Sequence, residues 1–293
     1  MPLPRFLLAA VLLSATWSGR AAATPSYDGC TGFLEPVGNA GSTTLLQGIT
    51  GPGVWCLKRD VLHDNVQTPV YALLSFGMDD ITIDCRGHRL VATNGGPPGI
   101  QVSGFARIAV RNCRLKGFYP SISIQDGQVL GASREHVVEG NEIHGGGLGI
   151  IVGGHGSVVR DNRLFDTRGI AINVTGRVDV LDNVIDGVTG EAPRGIFAGG
   201  SGGNEIRGNL VRELHTSGNP AVGIESAMDW SNFDAHERLS IRDNTIVGEG
   251  HFGTTGIQCQ DPSGTVTYGD NLLVAKAGVG GHCIDAGDND YSE

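Results

Sequence analysis

Short runs in which apolar and polar residues alternate recur along this chain, and the clearest lie in 157–187. There the phrase V-x-D-N-x-(L/I) appears twice, around Asn162 and Asn183, 21 residues apart. Between the copies sits a second apolar run, Gly169-Ile170-Ala171-Ile172. A two-residue period marks a strand with one face on a core. A segment of 21 residues that holds two or three such strands, closes on itself and starts again predicts one turn of a coil of parallel strands. No helical period of useful length, linker or composition break interrupts it, so one domain is expected.

The register can be followed by one residue type. Asn112, Asn141, Asn162, Asn183, Asn209, Asn244 and Asn271 each follow a strand and precede a short apolar pair, at intervals of 29, 21, 21, 26, 35 and 27 residues. Such intervals fit turns of fixed core and variable loops. Asn tolerates the left-handed backbone of a tight turn, and stacked copies can hydrogen-bond along a column about every 4.8 Å. A second column reads Gly99-Ile100-Gln101-Val102, Ser121-Ile122-Ser123-Ile124, Gly149-Ile150-Ile151-Val152, Gly169-Ile170-Ala171-Ile172, Gly195-Ile196-Phe197-Ala198, Gly223-Ile224-Glu225-Ser226 and Gly256-Ile257-Gln258-Cys259, with His282-Cys283-Ile284-Asp285 as its expected last member. With each Ile inward, the residue after it points outward.

The repeated I-x-x-N-x-I and G-I-x-(V/I) phrases resemble the right-handed parallel β-helix superfamily of pectate lyases and polygalacturonases. The opening Val54-Trp55-Cys56-Leu57 and Ile81-Thr82-Ile83-Asp84-Cys85-Arg86-Gly87-His88 are similar to its NosD-like and carbohydrate-binding or sugar-hydrolase branch. The resemblance implies an all-β, right-handed parallel β-helix, a solenoid of about nine rungs with an Asn ladder. The expected organisation is a signal peptide over 1–23, an N-terminal cap over 24–53 and the β-helix over 54–293. It also implies a substrate face on the outer side of the G-I-x-V sheet. The shared residues build rungs, so the reaction has to be read from the site.

The first 23 residues have the form of an export signal: a basic start, an apolar stretch over 6–17 and the small residues Ala21-Ala22-Ala23. The apolar stretch is shorter than the roughly 20 residues of a membrane span, so a secreted or periplasmic protein without a membrane span is expected. Six cysteines in an exported chain read as three disulfides. Cys85 and Cys113 stand one rung apart, as do Cys259 and Cys283, which leaves Cys30 with Cys56. A metal site is the rival reading, but no C-x-x-C or H-E-x-x-H spacing occurs. The formal charge of −10 disfavours nucleic acid. The acid is concentrated late, with twelve Asp and Glu against three Lys and Arg over 224–293.

The candidate chemistry lies in that acidic third. The interval from Asn209 to Asn244 is the longest and carries Asp229, Trp230, Asp234 and His236 after Glu225. Aromatic faces can stack on sugars and carboxylates can move protons; the bland alternative is a solvated loop folded onto the shaft. Glu225, Asp229, Asp234 and His236 are the candidate catalytic residues, and Trp230, Gln258, Asp285, Arg194 and Arg168 the candidate substrate-binding ones. Glu225 and Asp285 are expected two rungs apart on one face. Arg168 and Arg194 each precede a G-I strand; they form either a carboxylate-binding pair or surface ion pairs with Asp166 and Glu191. In the resembling lyases such a cation acts on a uronate beside Ca²⁺, which makes Ca²⁺ the one cofactor implied. Asp285, Asp288 and Asp290 lack the spacing of a calcium loop. The readings that follow are a glycan lyase or hydrolase, a non-catalytic glycan-binding β-helix, and, with least behind it, a NosD-like accessory protein. A monomer with a polysaccharide partner is expected.

Overall fold

The computed structural model describes residues 29–37, 45–47, 49–63, 78–93, 98–126, 131–200, 203–227, 238–248, 253–260 and 266–292. The segment 1–23 and the loop residues Asp229, Trp230, Asp234 and His236 lie outside them.

The chain winds into an all-β parallel β-helix with three faces. Ile81–Asp84, Ala109–Arg111, Val137–Glu139, Ser157–Arg160, Val178–Leu181, Glu205–Arg207, Leu239–Arg242 and Val266–Gly269 stack in parallel on the first face. After a corner come the short strands of the second face, among them Arg114–Lys116, Glu142–His144, Thr245–Val247 and Leu272–Val274. The third face includes Ile100–Ser103, Ile122–Gln125, Leu148–Gly153, Val222–Ala227, Thr255–Cys259 and Ala277–Gly281. Two strands, Arg163–Thr175 and Val184–Gly199, run continuously from the second face onto the third. Near the start, Leu45–Gln47 pairs antiparallel with Gly32–Val37, which lies parallel to Gly53–Leu57.

Each face sends apolar side chains inward in columns. Ile83, Val110, Val138, Val159, Val180, Ile206 and Ile241 stack from the first face. Leu90, Leu115, Ile143, Leu164, Ile185, Val211 and Ile246 stack from the second, and Ile100, Ile122, Ile150, Ile172, Ile196, Ile224 and Ile257 from the third; every one is at most 1% exposed. The glycine before the third-face Ile is explained by this packing. A Cβ at Gly223 would lie 2.4 Å from Ile246 Cγ2 and 2.6 Å from the Gly256 carbonyl oxygen. The corner leaves room for little there, and the column takes only Gly, Ala171 and Ser121 at that level, the last two fully buried.

The Asn column is a hydrogen-bonded ladder. The backbone N–H and the Nδ2–H of Asn141 both donate to Asn162 Oδ1, at 3.0 and 2.9 Å. The same pair of bonds repeats from Asn162 to Asn183, to Asn209, to Asn244, to Asn271 and on to Asn289. Two expectations change. Asn112 is not a rung of the ladder: Cys113 stands there, its N–H donating to Asn141 Oδ1 at 3.0 Å, and Cys113 is bridged to Cys85. The left-handed backbone belongs not to the ladder Asn but to the residue before it, namely Asn112, Gly140, Asp161, Asp182, Gly208, Asp243, Asp270 and Asp288. Asn is selected for its two-way amide, and Asp or Gly before it for its φ. The bridges are Cys30–Cys56, Cys85–Cys113 and Cys259–Cys283, the set the rung spacing implies.

The third-face register also differs at two rungs. Ile172 pairs with Ile150 and Ile196, so Ala171-Ile172-Asn173-Val174 is the member there, two residues beyond the expected one. At the end, Val279 pairs with Ile257, so Gly278-Val279-Gly280 closes the column, and Ile284–Asp285 lies on the first face against Thr267 and Tyr268.

One buried imidazole sits in this frame. His136 is fully buried; its Nδ1 accepts from the Ile108 N–H at 3.2 Å, so the proton of the neutral ring is on Nε2 and is donated to Ser133 Oγ at 2.7 Å. Burial pushes its pKa down to about 4, against smaller upward pulls from Asp126 and Asp79.

Two predictions follow from these arrangements. Asn183 donates to the Val159 and Leu181 carbonyls and accepts from Asn162. Asn183→Ala strands those buried groups and should cost about 3 kcal/mol or more, whereas Asn289→Ala, at the end of the ladder, should cost about 1 kcal/mol; urea midpoints check both. For His136 the unfolded pKa is about 6.5, so the unfolded chain takes up the proton first. Its contribution to stability is whole above that pH and is lost as pH falls toward about 4, by about 3 kcal/mol. Denaturation midpoints recorded across the interval should fall with pH; a flat profile would refute the assignment.

Candidate functional site

The outward row of the third face, in the observed register, runs Gln101, Ser123, Ile151, Asn173, Phe197, Glu225, Gln258 and Gly280. Three of the expected site residues meet on it. Glu225, 2% exposed, is held by two partners: Arg194 Nε donates to Oε2 and Gln260 Nε2 to Oε1. Arg194 also donates from Nη1 to the Ala192 carbonyl at 2.9 Å, and its guanidinium lies 5.9 Å from the centre of the Phe197 ring. Gln258 is the rung neighbour of Glu225, half-buried beside it. Arg194 therefore pairs with Glu225 rather than with Glu191. A carboxylate so enclosed has both oxygens taken by donors from neighbouring rungs. It can hold Arg194 and the start of the third-face strand in place.

Asp285 is not part of this cluster. Its carboxylate accepts from the Gly287 N–H and from Asn289 Nδ2, both at 2.9 Å, closing the last Asn turn on the first face. The physical reason is the ladder: Asn289 forms the next corner, so the strand preceding it has to be first-face. Arg168 is not stacked under Arg194 either. It pairs with Thr189, while Arg194 pairs with Ile170, because three extra residues enter the corner between them.

That corner, between the second and third faces, forms a concavity. Five residues separate Lys116 from Ile122 and His144 from Ile150, six separate Phe165 from Ile172, nine separate Asp186 from Ile196, and eleven separate Arg212 from Ile224. Short corners beside long ones leave a groove of about 860 Å³, within the size range of small-molecule sites. Its floor is bare backbone at Gly117, Gly145, Gly146, Gly169 and Gly190. Rung-to-rung bonds hold that floor, from the Gly117 N–H to the His144 carbonyl at 3.0 Å and from the Arg168 N–H to the Gly146 carbonyl at 2.9 Å. Tyr119 stands at one wall, 52% exposed. A Cβ at Gly147 would lie 1.6 Å from Tyr119 Cδ2 and 1.7 Å from Cε2, so the Cδ2–Cε2 edge of the ring abuts the Gly147 backbone. Asp166, Arg168 and Glu191 supply the charge, and Arg168 forms no ion pair with Asp166 among the described residues.

A family model for the right-handed β-helix region matches residues 83–231, just over half of the chain. The chain belongs to the right-handed β-helix family. No curated protein matches this β-helix. Similar solved structures include the catalytic domain of Agl-KA, 12% identical over 83% of this chain and 62% of that one, with a TM-score of 0.40. The A-module of the mannuronan C-5 epimerase AlgE4 of Azotobacter vinelandii is 15% identical over 83% of this chain and 89% of that one, with a TM-score of 0.29. This β-helix spans less than two thirds of the Agl-KA domain, and neither likeness is near enough to transfer an activity.

Of the residues expected to act, the β-helix brings together Glu225, Arg194 and Gln258, puts Arg168 in the groove and Asp285 on another face. Tyr119, Asp166 and Glu191 were not among the expected binding residues. The run Gly145-Gly146-Gly147 between two strands was the available signal, since it marks a corner stripped of side chains. Among the described residues no group of three or more His, Cys, Asp or Glu is arranged to hold a metal ion, and no helix is long and apolar enough to cross a membrane.

The Glu225 cluster makes a separate prediction. Glu225→Ala leaves Arg194 without its anion and Gln260 without its acceptor, and should lower stability by about 2 kcal/mol. Urea denaturation checks it, and a variant as stable as the parent would show that the pair holds nothing together.

Proposed function

We propose that this β-helix is an exported protein that binds polysaccharide in the corner groove beside its third face. The observation that carries the reading is the groove itself: a backbone-floored trough on a rigid shaft, with one half-exposed aromatic ring and both signs of charge at its rim. Sugars need this combination, an apolar ring face for stacking and a few fixed polar groups to take their hydroxyls. The floor is set by consecutive rungs, so it repeats along the axis about every 4.8 Å and suits a polymer lying along the shaft. The three disulfides agree with an oxidising compartment.

Cleavage is the second reading. Asp166 and Glu191 are two carboxylates on one groove, which is the donor set that glycosidic hydrolysis uses. The loop with Asp229, Trp230, Asp234 and His236 follows the third-face strand that carries Glu225, and would add to that chemistry if it reaches the same substrate. Ca²⁺ has a role only if the substrate is a uronate.

The test is a panel of neutral and uronate polysaccharides, scored for binding, for new reducing ends and for the ultraviolet absorbance of unsaturated ends. Binding without new ends is the expected result. Tyr119→Ala should weaken that binding about tenfold while leaving the denaturation midpoint close to that of the parent. New ends would select the enzymatic reading, and no binding to any polymer by the folded protein would remove both.

A further inference from the structure

The rim of the groove says more than that a sugar fits. Asp166 and Glu191 offer only acceptor oxygens at neutral pH and Arg168 only donors, so the three charged side chains carry one net negative charge. Asp166 belongs to a corner column in which Gly117, Gly145, Gly187 and Glu213 also have positive φ; of these only Asp166, with φ 53°, and Glu213 carry a side chain. Its carboxylate lies over Gly187, where a Cβ would approach Asp166 Oδ1 to 3.1 Å. Glu191 comes from the residues added to the next corner, whose own backbone is fixed: the Asn219 N–H donates to the Glu191 carbonyl at 2.6 Å and the Ser217 N–H to the Gly190 carbonyl at 2.8 Å. Both carboxylates are thus set on tied backbone.

We infer that the groove selects neutral sugars and rejects uronates, an inference that rests on the polysaccharide-binding reading above. A neutral pyranose presents hydroxyls that both donate and accept, so it can donate to Asp166 and Glu191, accept from Arg168 and lay its ring against the exposed part of Tyr119. A uronate would bring a further carboxylate beside two existing ones, with a single guanidinium to offset three anions. Gly147 acts as the positioning residue: any side chain there displaces the Tyr119 ring from its seat.

The experiment is calorimetric titration of the full chain with neutral gluco-, manno- and xylo-oligosaccharides and with oligogalacturonate and oligomannuronate of matched length, each in chelator and in Ca²⁺. A neutral oligosaccharide should bind at least tenfold more tightly than any uronate in both conditions. Asp166→Asn with Glu191→Gln should raise uronate affinity severalfold, and Gly147→Ala should weaken neutral-sugar binding about as much as Tyr119→Ala. Tighter binding of a uronate, with or without Ca²⁺, overturns the inference while leaving the binding reading in place. Neutral-sugar binding that ignores both Tyr119→Ala and Gly147→Ala also overturns it, by placing the site elsewhere. Failure of every sugar to bind the folded chain removes the binding reading itself.

Discussion

Everything in this molecule depends on each rung turning at the same place as the rung below it. A parallel coil has no hairpins to fix its register, and a slip of one residue would turn every inward Ile to solvent. The Asn ladder prevents that slip. Each amide takes two protons from the Asn on one side and gives its own to the Asn on the other and to nearby carbonyls, so an Asn out of line leaves buried polar groups unpaired on both sides. Water does not reach those groups, since the ladder residues Asn141, Asn162, Asn183, Asn209, Asn244 and Asn271 are at most 1% exposed. The hydrophobic columns supply most of the favourable free energy, but they tolerate exchange among Ile, Val and Leu. The amide column does not, and it therefore sets the phase.

The ladder begins where the first disulfides act. Cys113 occupies a ladder position and spends its side chain on the bridge to Cys85, while Asp84 takes the bonds of the turn instead, accepting from Asn112 Nδ2 at 3.1 Å and from Arg111 Nε at 2.9 Å. A covalent link and an ion pair thus replace the amide at the end of the column where fewer rungs are stacked. Cys259–Cys283 lies in the last rungs in the same way. The middle of the shaft, between Cys113 and Cys259, has no bridge and relies on repetition.

This division explains what could be read from the sequence. The coil, its two recurring columns and the disulfides follow from residues that recur, because recurrence is what the fold requires. Asn112 misled by one residue since Asn serves both the ladder and the left-handed position before it, and only the hydrogen bond into Cys113 separates the two. Gly169-Ile170 misled by two, because the strand there is continuous across the corner and a G-I pair occurs before the true member, Ala171-Ile172. His282-Cys283-Ile284-Asp285 imitated the third face, but Asn289, one corner later, fixes it to the first. Each error moved an outward residue: Ala171 gave way to Asn173, and Asp285 to Gly280.

The groove was harder to see for a different reason. It is made by what the corners lack, and an absence of side chains at Gly117, Gly145 and Gly146 becomes a cavity only when the rungs on either side have longer corners. Corner length can be counted only after the register is known, so the two register errors hid it. Glu225 shows the converse. An acidic residue on the expected face looked like chemistry, yet its partners Arg194 and Gln260 come from the neighbouring rungs, and the three close over one another. On a solenoid, an outward residue meets its rung neighbours at about 4.8 Å before it meets a ligand. Complementary neighbours there consume each other's charge; a free charge survives where the adjacent rung offers glycine. By that criterion Arg168 keeps its charge at the glycine-floored corner, whereas Glu225 is tied to Arg194 and Gln260.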